Sequence, residues 1–376
     1  MNEQELLFTL ALNMLPGLGV INQRILLDAM GSASAIYEHR NEIKDALPKA
    51  SAHITKALPQ MDKQLERAEE ELAFCQKKQI TCLHINSEDY PSRLRSCSDA
   101  PLLLFYRGTA PLNARHIVSI VGTRKITEYG KDICRNFIRD LKMRRPDTLI
   151  VSGLAYGIDI HCHRAALEEG METIGVLAHG LDQIYPRLHR ETALKMLGQG
   201  GLLTEFMSQT NADKKNFIQR NRIVAGISDA TIVVESAAKG GALITADIAS
   251  SYHKDVFAFP GRISDKYSEG CNKLIRDNRA ALLTNAEDFV LAMQWKTEEK
   301  RKKELSEGIQ QYLFTNLNEE EQKIVDSLQK ADDKQINLIA IDTNIPIGML
   351  SSLLFTLEMK GVVKMLSGGK YRLIKG

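Results

Sequence analysis

A cationic and aromatic cluster near the middle of the chain has the residue types that contact single-stranded nucleic acid. Within eight positions lie Lys215, Phe217, Arg220, Asn221 and Arg222, which supply two guanidiniums, an ammonium, a carboxamide and one aromatic ring. Arginine and lysine neutralise phosphates, and a phenyl ring offers a flat face to an unpaired base. The solvated first turn of an amphipathic helix can have the same composition, so the cluster alone leaves both interpretations open.

A short glycine turn follows the first strand of the predicted sheet. Gly122-Thr123-Arg124 comes after the β-rich run 117–121, and a helix is predicted to begin near Thr127. Glycine lets the backbone turn sharply, the first amides of a helix are unpaired, and an arginine can bind a phosphate through two hydrogen bonds. The turn is therefore a candidate oxyanion site. It matches neither the G-x-G-x-x-G dinucleotide fingerprint nor the G-x-x-x-x-G-K-[ST] loop.

Two further loops rich in small residues follow later strands. Ser152-Gly153 comes directly after one β-rich run, and Gly240-Gly241 comes shortly after another. Small residues let a ligand approach the backbone closely, although tight packing of a helix on a strand also demands glycine. Because the carboxyl ends of parallel strands meet at one edge of a sheet, the three loops and the cationic cluster together favour one shallow anion-binding surface.

The sequence contains no pattern that predicts a catalytic or metal centre. His161 and His163 follow Asp159, but positions two apart on a helix point about 200° from one another and cannot share a tetrahedral metal site. Glu205 and Glu235 follow strands, and an isolated carboxylate is weak evidence for a general base. We therefore expect no catalytic residue, no metal and no cofactor, and hence a protein that is not an enzyme.

The order of the predicted elements indicates an α/β fold. β-rich runs alternate with helical patterns through the central region, at 117–121, 148–151, 173–177, 202–204, 231–235, 256–259 and 281–283. Continuous apolar strands separated by helices predict a mainly parallel sheet covered on both faces, as in an extended Rossmann-like domain. Ligands of such sheets bind beyond the carboxyl ends of the strands, so the glycine loops are predicted to lie at the ligand site.

The flanking segments have different patterns. Residues 1–65 predict a helical module, whose first turn resembles the hairpin of helix-hairpin-helix modules or is a plain helical turn that needs two glycines. The sheet domain is expected at 66–295, with the apolar run 102–106 paired onto the edge of its sheet. A charged linker is expected at 296–308. Helices followed by a hairpin predict a winged-helix-like domain at 309–376.

Charge is nearly balanced over the whole chain. The 376 residues are 44% hydrophobic and 26% charged, with a net charge of +2, which is typical of ordinary globular proteins of about two or three domains. A nucleic-acid site must therefore concentrate its positive charge locally. The helix expected to read DNA in the C-terminal domain has one basic residue, Lys360, so a protein-contact or structural role is expected there.

The composition predicts a cytoplasmic protein. The chain starts with the acidic segment Met1-Asn2-Glu3, without the basic region of a secretory signal. No apolar run approaches the roughly 18 residues that a membrane-spanning helix needs. The six cysteines are scattered without a CxxC pair, which is typical of reduced thiols. We therefore expect no membrane partner.

Several motifs occur together in one order along the central region, namely Gly122-Thr123-Arg124, residues 152–159, residues 173–186, Phe217 with Arg220-Asn221-Arg222, residues 243–246 and Phe259-Pro260-Gly261. In these motifs the chain resembles the family of DNA-processing protein A (DprA, also called Smf). The resemblance implies an extended Rossmann domain that binds and protects incoming single-stranded DNA, forms a homodimer and loads the RecA recombinase during natural transformation. It also implies that Arg124, Lys214 or Lys215, Phe217 and the run 220–222 line the DNA groove.

Two other functions fit part of the pattern. The double glycine at Gly240-Gly241 encourages comparison with Rossmann-type nucleotide phosphoribohydrolases of the lysine-decarboxylase-like group. The P-G-G-x-G-T-x-x-E signature of that group is missing, and no carboxylate occupies the corresponding place. A scaffold whose terminal modules bind partner proteins is the third possibility.

Overall fold

The structure is a computed structural model that describes residues 2–48, 50–295, 317–329, 334–366 and 369–374. The chain forms two compact units, Met1–Met293 and Gln294–Gly376. The domain boundary predicted at residue 65 lies inside the first unit and stays a prediction. The charged linker predicted at 296–308, and the predicted start of the C-terminal domain at 309, lie outside the described residues.

Helices form the N-terminal part of the first unit. Asn2 begins the first of them by accepting a hydrogen bond from the N–H of Gln4 (3.1 Å), as asparagine does at helix starts. Leu12 and Leu26 share one hydrophobic cluster with Ile117 of the sheet, so these helices are part of the sheet's core. The helices are α1 (Glu3–Asn13), α2 (Val20–Met30), α3 (Ala33–Glu38), α4 (Ile43–Ala46), α5 (Ala52–Ala57) and α6 (Leu65–Lys78), with a 3₁₀ helix at Leu58–Gln64.

A nine-stranded sheet forms the centre of the first unit. Its strands are β1 (Thr81–His84), β2 (Leu103–Gly108), β3 (His116–Val121), β4 (Thr148–Ser152), β5 (Thr173–Val176), β6 (Gly200–Thr204), β7 (Ala230–Val233), β8 (Asp255–Ala258) and β9 (Ala281–Leu282). Their spatial order is β1-β2-β6-β5-β4-β3-β7-β8-β9. The pairs from β6 to β9 are parallel, while β1 and β2 add antiparallel strands at one edge. The predicted mainly parallel sheet, with the run 102–106 at its edge, is confirmed.

The strand order reverses between β3 and β7. From β3 the chain winds outward through β4, β5 and β6, and it then returns to β7 beside β3 and winds outward through β8 and β9. Such a reversal leaves a crevice beyond the carboxyl ends of the two central strands, where ligands of open α/β sheets bind. The loops that follow β3, β4 and β7 therefore meet at one place.

Helices cover both faces of this sheet and bury it. All six residues of β3 and all five of β4 are buried. Phe137 packs edge-on against Phe259 and Phe289, with ring centroids 5.7 and 5.8 Å away. The helices are α7 (Ser92–Arg95), α8 (Glu128–Arg144), α9 (Ile158–Glu168), α10 (Arg190–Gly198), α11 (Lys214–Gly226), α12 (Gly241–Ser251), α13 (Glu269–Arg276) and α14 (Ala286–Ala292), with a 3₁₀ turn at Arg187–His189.

The second unit has its own core and the element order of a winged helix. Its described elements are α15 (Glu319–Gln329), β10 (Lys334–Gln335), α16 (Ile336–Thr343), α17 (Ile347–Met359), β11 (Val363–Leu366) and β12 (Lys370–Leu373). Ile324, Leu354 and Val363 lie in a separate hydrophobic cluster. Asn318 and Glu321 cap α15 reciprocally, because the side chain of each accepts a hydrogen bond from the backbone N–H of the other. The predicted fold class, an α/β sheet domain with helical and winged-helix-like flanks, is confirmed.

None of the described helices is by itself long and apolar enough to cross a bilayer. The pair Ile336–Thr343 and Ile347–Met359, which is bent by 106° at its junction, meets the criterion of length and composition only when both helices are counted together.

Candidate nucleic-acid interface

A cleft of about 790 Å³ lies at the point where the strand order reverses. The loops after β3, β4 and β7 form its walls together with the start of α11. The structure brings most of the predicted site residues to this cleft, namely Gly122, Thr123, Arg124, Lys214, Phe217, Arg220, Asn221, Gly240 and Gly241. We refer to this volume and its lining as the cleft.

Backbone contacts with two neighbouring loops hold the turn after β3. The N–H of Thr123 donates to the carbonyl of Glu235 (2.8 Å), and the carbonyl of Thr123 accepts from the N–H of Ile158 (3.1 Å). Gly157 comes so close that a Cβ on it would lie 2.0 Å from the Thr123 carbonyl oxygen, and its φ of 79° also favours glycine. The position of Arg124 at the end of this turn is therefore fixed by the loops around it.

An aromatic ring in the cleft contacts two guanidiniums. Phe217 and Arg220 are three residues apart on α11, so they share one helix face. The guanidinium carbon of Arg220 lies 5.9 Å from the centroid of the Phe217 ring, and that of Arg124 lies 4.9 Å from it. Both distances are those of cation–π contacts. Arg124 is exposed and Phe217 is half-buried, so these two side chains reach solvent.

Arg220 is the buried member of this group, with 4% of its surface exposed. Its Nη1 donates to the carbonyl of Val176 (2.5 Å). Burial lowers the pKa of Arg220 to about 10, and Asp159 opposes that shift, so the guanidinium stays charged at neutral pH. Burial raises the pKa of Asp159 in turn, and Arg220 opposes this shift. The floor of the cleft therefore carries the charged Arg220 guanidinium, with the carboxyl group of Asp159 near it.

Gly153 makes room for the Arg220 guanidinium. A Cβ on Gly153 would lie 2.0 Å from Nη1 of Arg220. The N–H of Gly153 and that of Ala155 donate to the carboxylate of Asp159, at 3.2 and 3.4 Å. Neither Gly153 nor its neighbour Ser152 lines the cleft; Ser152 is buried and its Oγ donates to the carbonyl of Ile120 (2.6 Å). Both predicted residues therefore lie behind the cleft and shape it.

Arg222 points away from the cleft, although it lies two residues from Arg220. It is buried and forms an ion pair with Glu205, and its Nη1 donates to the carbonyl of Asp99 (2.5 Å). Burial raises the pKa of Glu205, and Arg222 opposes that shift. The structure thus places Arg222 in the packing behind α11, where Glu205 is its partner. Lys215 is exposed on the first turn of α11 but lies outside the cleft lining.

The second carboxylate considered as a general base has a structural contact. Glu235 is buried and accepts hydrogen bonds from the N–H (3.0 Å) and the hydroxyl of Thr127 at the start of α8. A negative charge at a helix N-terminus is stabilising. A Cβ on Gly130 would lie 2.2 Å from Oε2 of Glu235, which shows how closely the helix approaches it.

The two histidines on α9 face different surroundings. His161 donates from Nδ1 to the carbonyl of Gly157 (2.8 Å). His163 is fully buried with its Nδ1 2.7 Å from Oγ1 of Thr173, and burial lowers its pKa to about 3. Among the residues that the structure describes, no group of three or more His, Cys, Asp or Glu side chains is arranged to hold a metal ion.

Several cleft residues are absent from the predicted site. Lys125 and Lys239 add exposed cations at the rim, and Tyr267 adds a ring from the loop after β8. The position of Lys125 directly after the glycine turn, and that of Lys239 directly before Gly240, are signals that could have identified both. Nothing in the sequence around Tyr267 indicates that its loop folds back over the cleft.

Comparison with known proteins shows which family shares these features. A family model described as DNA recombination-mediator protein A matches residues 81–294. The chain is 39% identical over 219 residues to the DNA processing protein DprA of Bacillus subtilis, covering 58% of this chain and 73% of that protein. It is 37% identical over 206 residues to the Streptococcus pneumoniae protein of the same name, covering 55% and 72%.

Two solved structures have the same architecture. DNA processing protein A from Streptococcus pneumoniae superimposes with a TM-score of 0.63 at 31% identity, covering 76% of this chain and 95% of that one. DNA processing protein A from Helicobacter pylori, whose structure was described for its single-stranded DNA binding mode, superimposes with a TM-score of 0.52 at 29% identity, covering 58% and 97%. The chain therefore belongs to the family of DNA recombination-mediator protein A, the DNA-processing protein A (DprA) family.

Proposed function

We propose that the cleft binds single-stranded DNA and that the chain mediates recombination without catalysing a reaction. The observation that carries this proposal is the grouping of Arg124 and Arg220 around the Phe217 ring at the reversal of strand order. A half-buried ring can stack on an unpaired base, and the exposed guanidinium beside it can neutralise the adjoining phosphate. A duplex keeps its bases stacked inside and offers no such face.

Local charge supports the same proposal. Lys125, Lys214 and Lys239 stand with Arg124 around the cleft, although the whole chain has a net charge of only +2. Concentrated cations of this kind attract a polyanion without making the entire surface basic. We assign direct contact with the strand to the residues that line the cleft, an outer electrostatic role to Lys215, and supporting roles to Ser152, Gly153 and Arg222.

Family membership supports the wider role. The Helicobacter pylori relative binds single-stranded DNA, and the family is described as recombination mediators. We propose that this chain protects incoming single-stranded DNA, loads the RecA recombinase during natural transformation and acts as a homodimer. The nuclease resistance of bound strands tests protection, and the rate of RecA filament formation on them tests loading, each measured with and without the protein.

Binding of unpaired and duplex oligonucleotides over a salt series tests the central proposal. We expect a strong preference for the unpaired form, with log affinity falling against log salt by about 0.7 per phosphate neutralised. Arg124→Ala should lower that slope. Phe217→Ala should weaken binding by about 1–3 kcal/mol, because base–aromatic stacking is lost.

The matched control is Arg139→Ala. Arg139 is an exposed arginine on α8 that lies outside the cleft lining, and it should leave the affinity and its salt slope unchanged. Unchanged binding by both cleft variants would contradict the proposed site. So would an equal loss of affinity in the Arg139→Ala control. Incubation with nucleoside monophosphates, monitored for released base, tests the absence of phosphoribohydrolase activity.

A further inference from the structure

A second aromatic ring lies beside the cleft and has no part in the site described so far. Tyr185 follows β5 in a loop that packs beside α11. Its ring centroid is 5.9 Å from that of Phe217, with the two ring planes inclined at 61°. Tyr185 is 46% exposed, although tyrosine can bury a large apolar surface. An exposed ring in contact with the ring in the cleft extends the aromatic surface that a ligand can reach.

A buried histidine holds the backbone of Tyr185. The N–H of Tyr185 donates to Nε2 of His179 (3.2 Å), and Nδ1 of His179 donates to the carbonyl of Gly180 (2.8 Å). Burial lowers the pKa of His179, so the ring is neutral near pH 7 and Nε2 remains an acceptor. The hydrogen bonds on both ring nitrogens fix the tautomer and with it the position of Tyr185.

Two further hydrogen bonds fasten the same loop on either side of the tyrosine. The side-chain amide of Gln183 donates to the carbonyl of Thr210, in the segment that leads into α11 (2.9 Å). After the tyrosine, Nδ1 of His189 donates to the carbonyl of Leu154, in the loop after β4 (2.8 Å). The tyrosine is therefore presented by an ordered loop, and a ligand that binds it has little ordering entropy to overcome.

We propose that Tyr185 is a second stacking site for an unpaired base, next to the one at Phe217, so that the two rings hold neighbouring bases of one strand. This inference deepens the proposed function and rests on it. Because the ring planes are inclined at 61°, bases lying flat on both rings cannot remain stacked on each other. The pair of rings therefore favours a strand whose bases can separate, and it disfavours a duplex.

Fluorescence anisotropy with labelled oligothymidylate tests the proposal in the full chain. Tyr185→Ala should weaken binding by about 5- to 150-fold, the range expected for loss of one base–aromatic stack. Tyr185→Phe is the matched control and should stay within about twofold of the parent chain, because it keeps the ring. Thermal denaturation of both variants establishes that the fold is intact.

A strand of equal length that lacks all its bases separates stacking from other effects. It keeps the phosphates, so Arg124→Ala should still weaken its binding, whereas Tyr185→Ala should have no effect on it. A loss of the same size on both strands would overturn the inference, because it would show a disturbed loop. So would unchanged binding of oligothymidylate by Tyr185→Ala when Phe217→Ala is weakened, an outcome that leaves the proposed function standing. A parent chain that fails to bind single strands at all would instead refute the proposed function.

Discussion

At the scale of single residues, the shape of the cleft depends on two glycines, because a Cβ at either position would collide with a neighbouring residue. The guanidinium of Arg220 occupies the space in which Gly153 has no Cβ, and Thr123 occupies the space beside Gly157. Both glycines lie in the loop after β4. Their importance comes from the close approach of neighbouring atoms, so a change at either should act on the site through packing.

Gly153→Ala should displace the Arg220 guanidinium, because its Cβ would lie 2.0 Å from Nη1. We expect a loss of about 1–3 kcal/mol in the free energy of unfolding, the usual effect of overpacking a buried site, together with weaker binding of single-stranded DNA. Urea denaturation measures the first effect and anisotropy the second.

The matched glycine for this test is Gly198, at the end of α10. Nothing lies within 4 Å of a Cβ built on it, and its backbone does not have a positive φ. Gly198→Ala should therefore be neutral or stabilise the helix by about 0.5–1 kcal/mol. Equal destabilisation by the two substitutions would contradict the packing argument.

The helical positions of Arg220 and Arg222 show where reasoning from sequence stopped short. Residues two apart on a helix point in widely different directions, which is why His161 and His163 cannot share a metal site. The same geometry lets only one of the two arginines face the cleft. Arg220 does so, while Arg222 is turned toward Glu205. The residue types were enough to identify the cationic cluster. Which of its arginines faces the cleft depends on their positions around the helix.

At the scale of elements, α9 is joined to the sheet by a histidine that cannot take up a proton easily. His163 lies against Thr173 of β5. Burial is the main reason that its pKa falls from an ordinary 6.5 to about 3, and the neighbouring His189 and Arg220 side chains add to the shift. The folded chain therefore binds fewer protons at this position than the unfolded chain does between these two pH values.

This depressed pKa predicts a pH dependence of stability. The contribution of neutral His163 to the free energy of unfolding is fully present above about pH 6.5. It is lost as the pH falls toward 3, at up to about 1.4 kcal/mol per pH unit. His163→Asn cannot titrate and should show a shallower decline. Urea denaturation at steps from pH 7.5 to 4 measures both. Parallel curves for the two proteins would contradict the assignment, whatever their difference in absolute stability.

The sheet was predictable because its strands are short, continuous apolar runs, which are typical of strands in a parallel sheet that is covered on both faces. The ends of strands were less predictable. The run 231–235 suggested a strand through Glu235, whereas β7 ends at Val233. Glu235 leaves the sheet to accept hydrogen bonds from Thr127 at the start of α8. That contact joins residues more than a hundred positions apart, and no local pattern reports it.

At the scale of the whole molecule, the charge is placed where the sheet reverses its order. The chain is nearly neutral, yet the cleft gathers cations from the loops after β3 and β7 and from α11. The sequence predicted that these loops meet, because the carboxyl ends of parallel strands lie at one edge of a sheet. The roles of the residues behind the cleft depend on packing at the ångström scale, which residue types alone do not determine.

The proposed homodimer would place two clefts on one particle. Sedimentation at micromolar concentration should then give twice the mass of one chain, with and without DNA. Strands long enough to reach both clefts should bind more tightly than two separate short strands, because the second contact forms within the complex. A single-chain mass under both conditions, or affinity independent of strand length, would contradict this expectation.

The turn after β3 is hydrogen-bonded to Glu235, which follows β7, and to Ile158, which follows β4. It therefore contacts both halves of the sheet, which wind outward in opposite directions from β3 and β7. A polymer bound there would contact both halves of the sheet where they meet, at β3 and β7. It would therefore hold the two halves together. Since a ligand stabilises the state that binds it, occupancy would raise the melting temperature of the entire unit and slow its digestion by proteases. Binding would then protect the DNA strand and stabilise the protein at the same time.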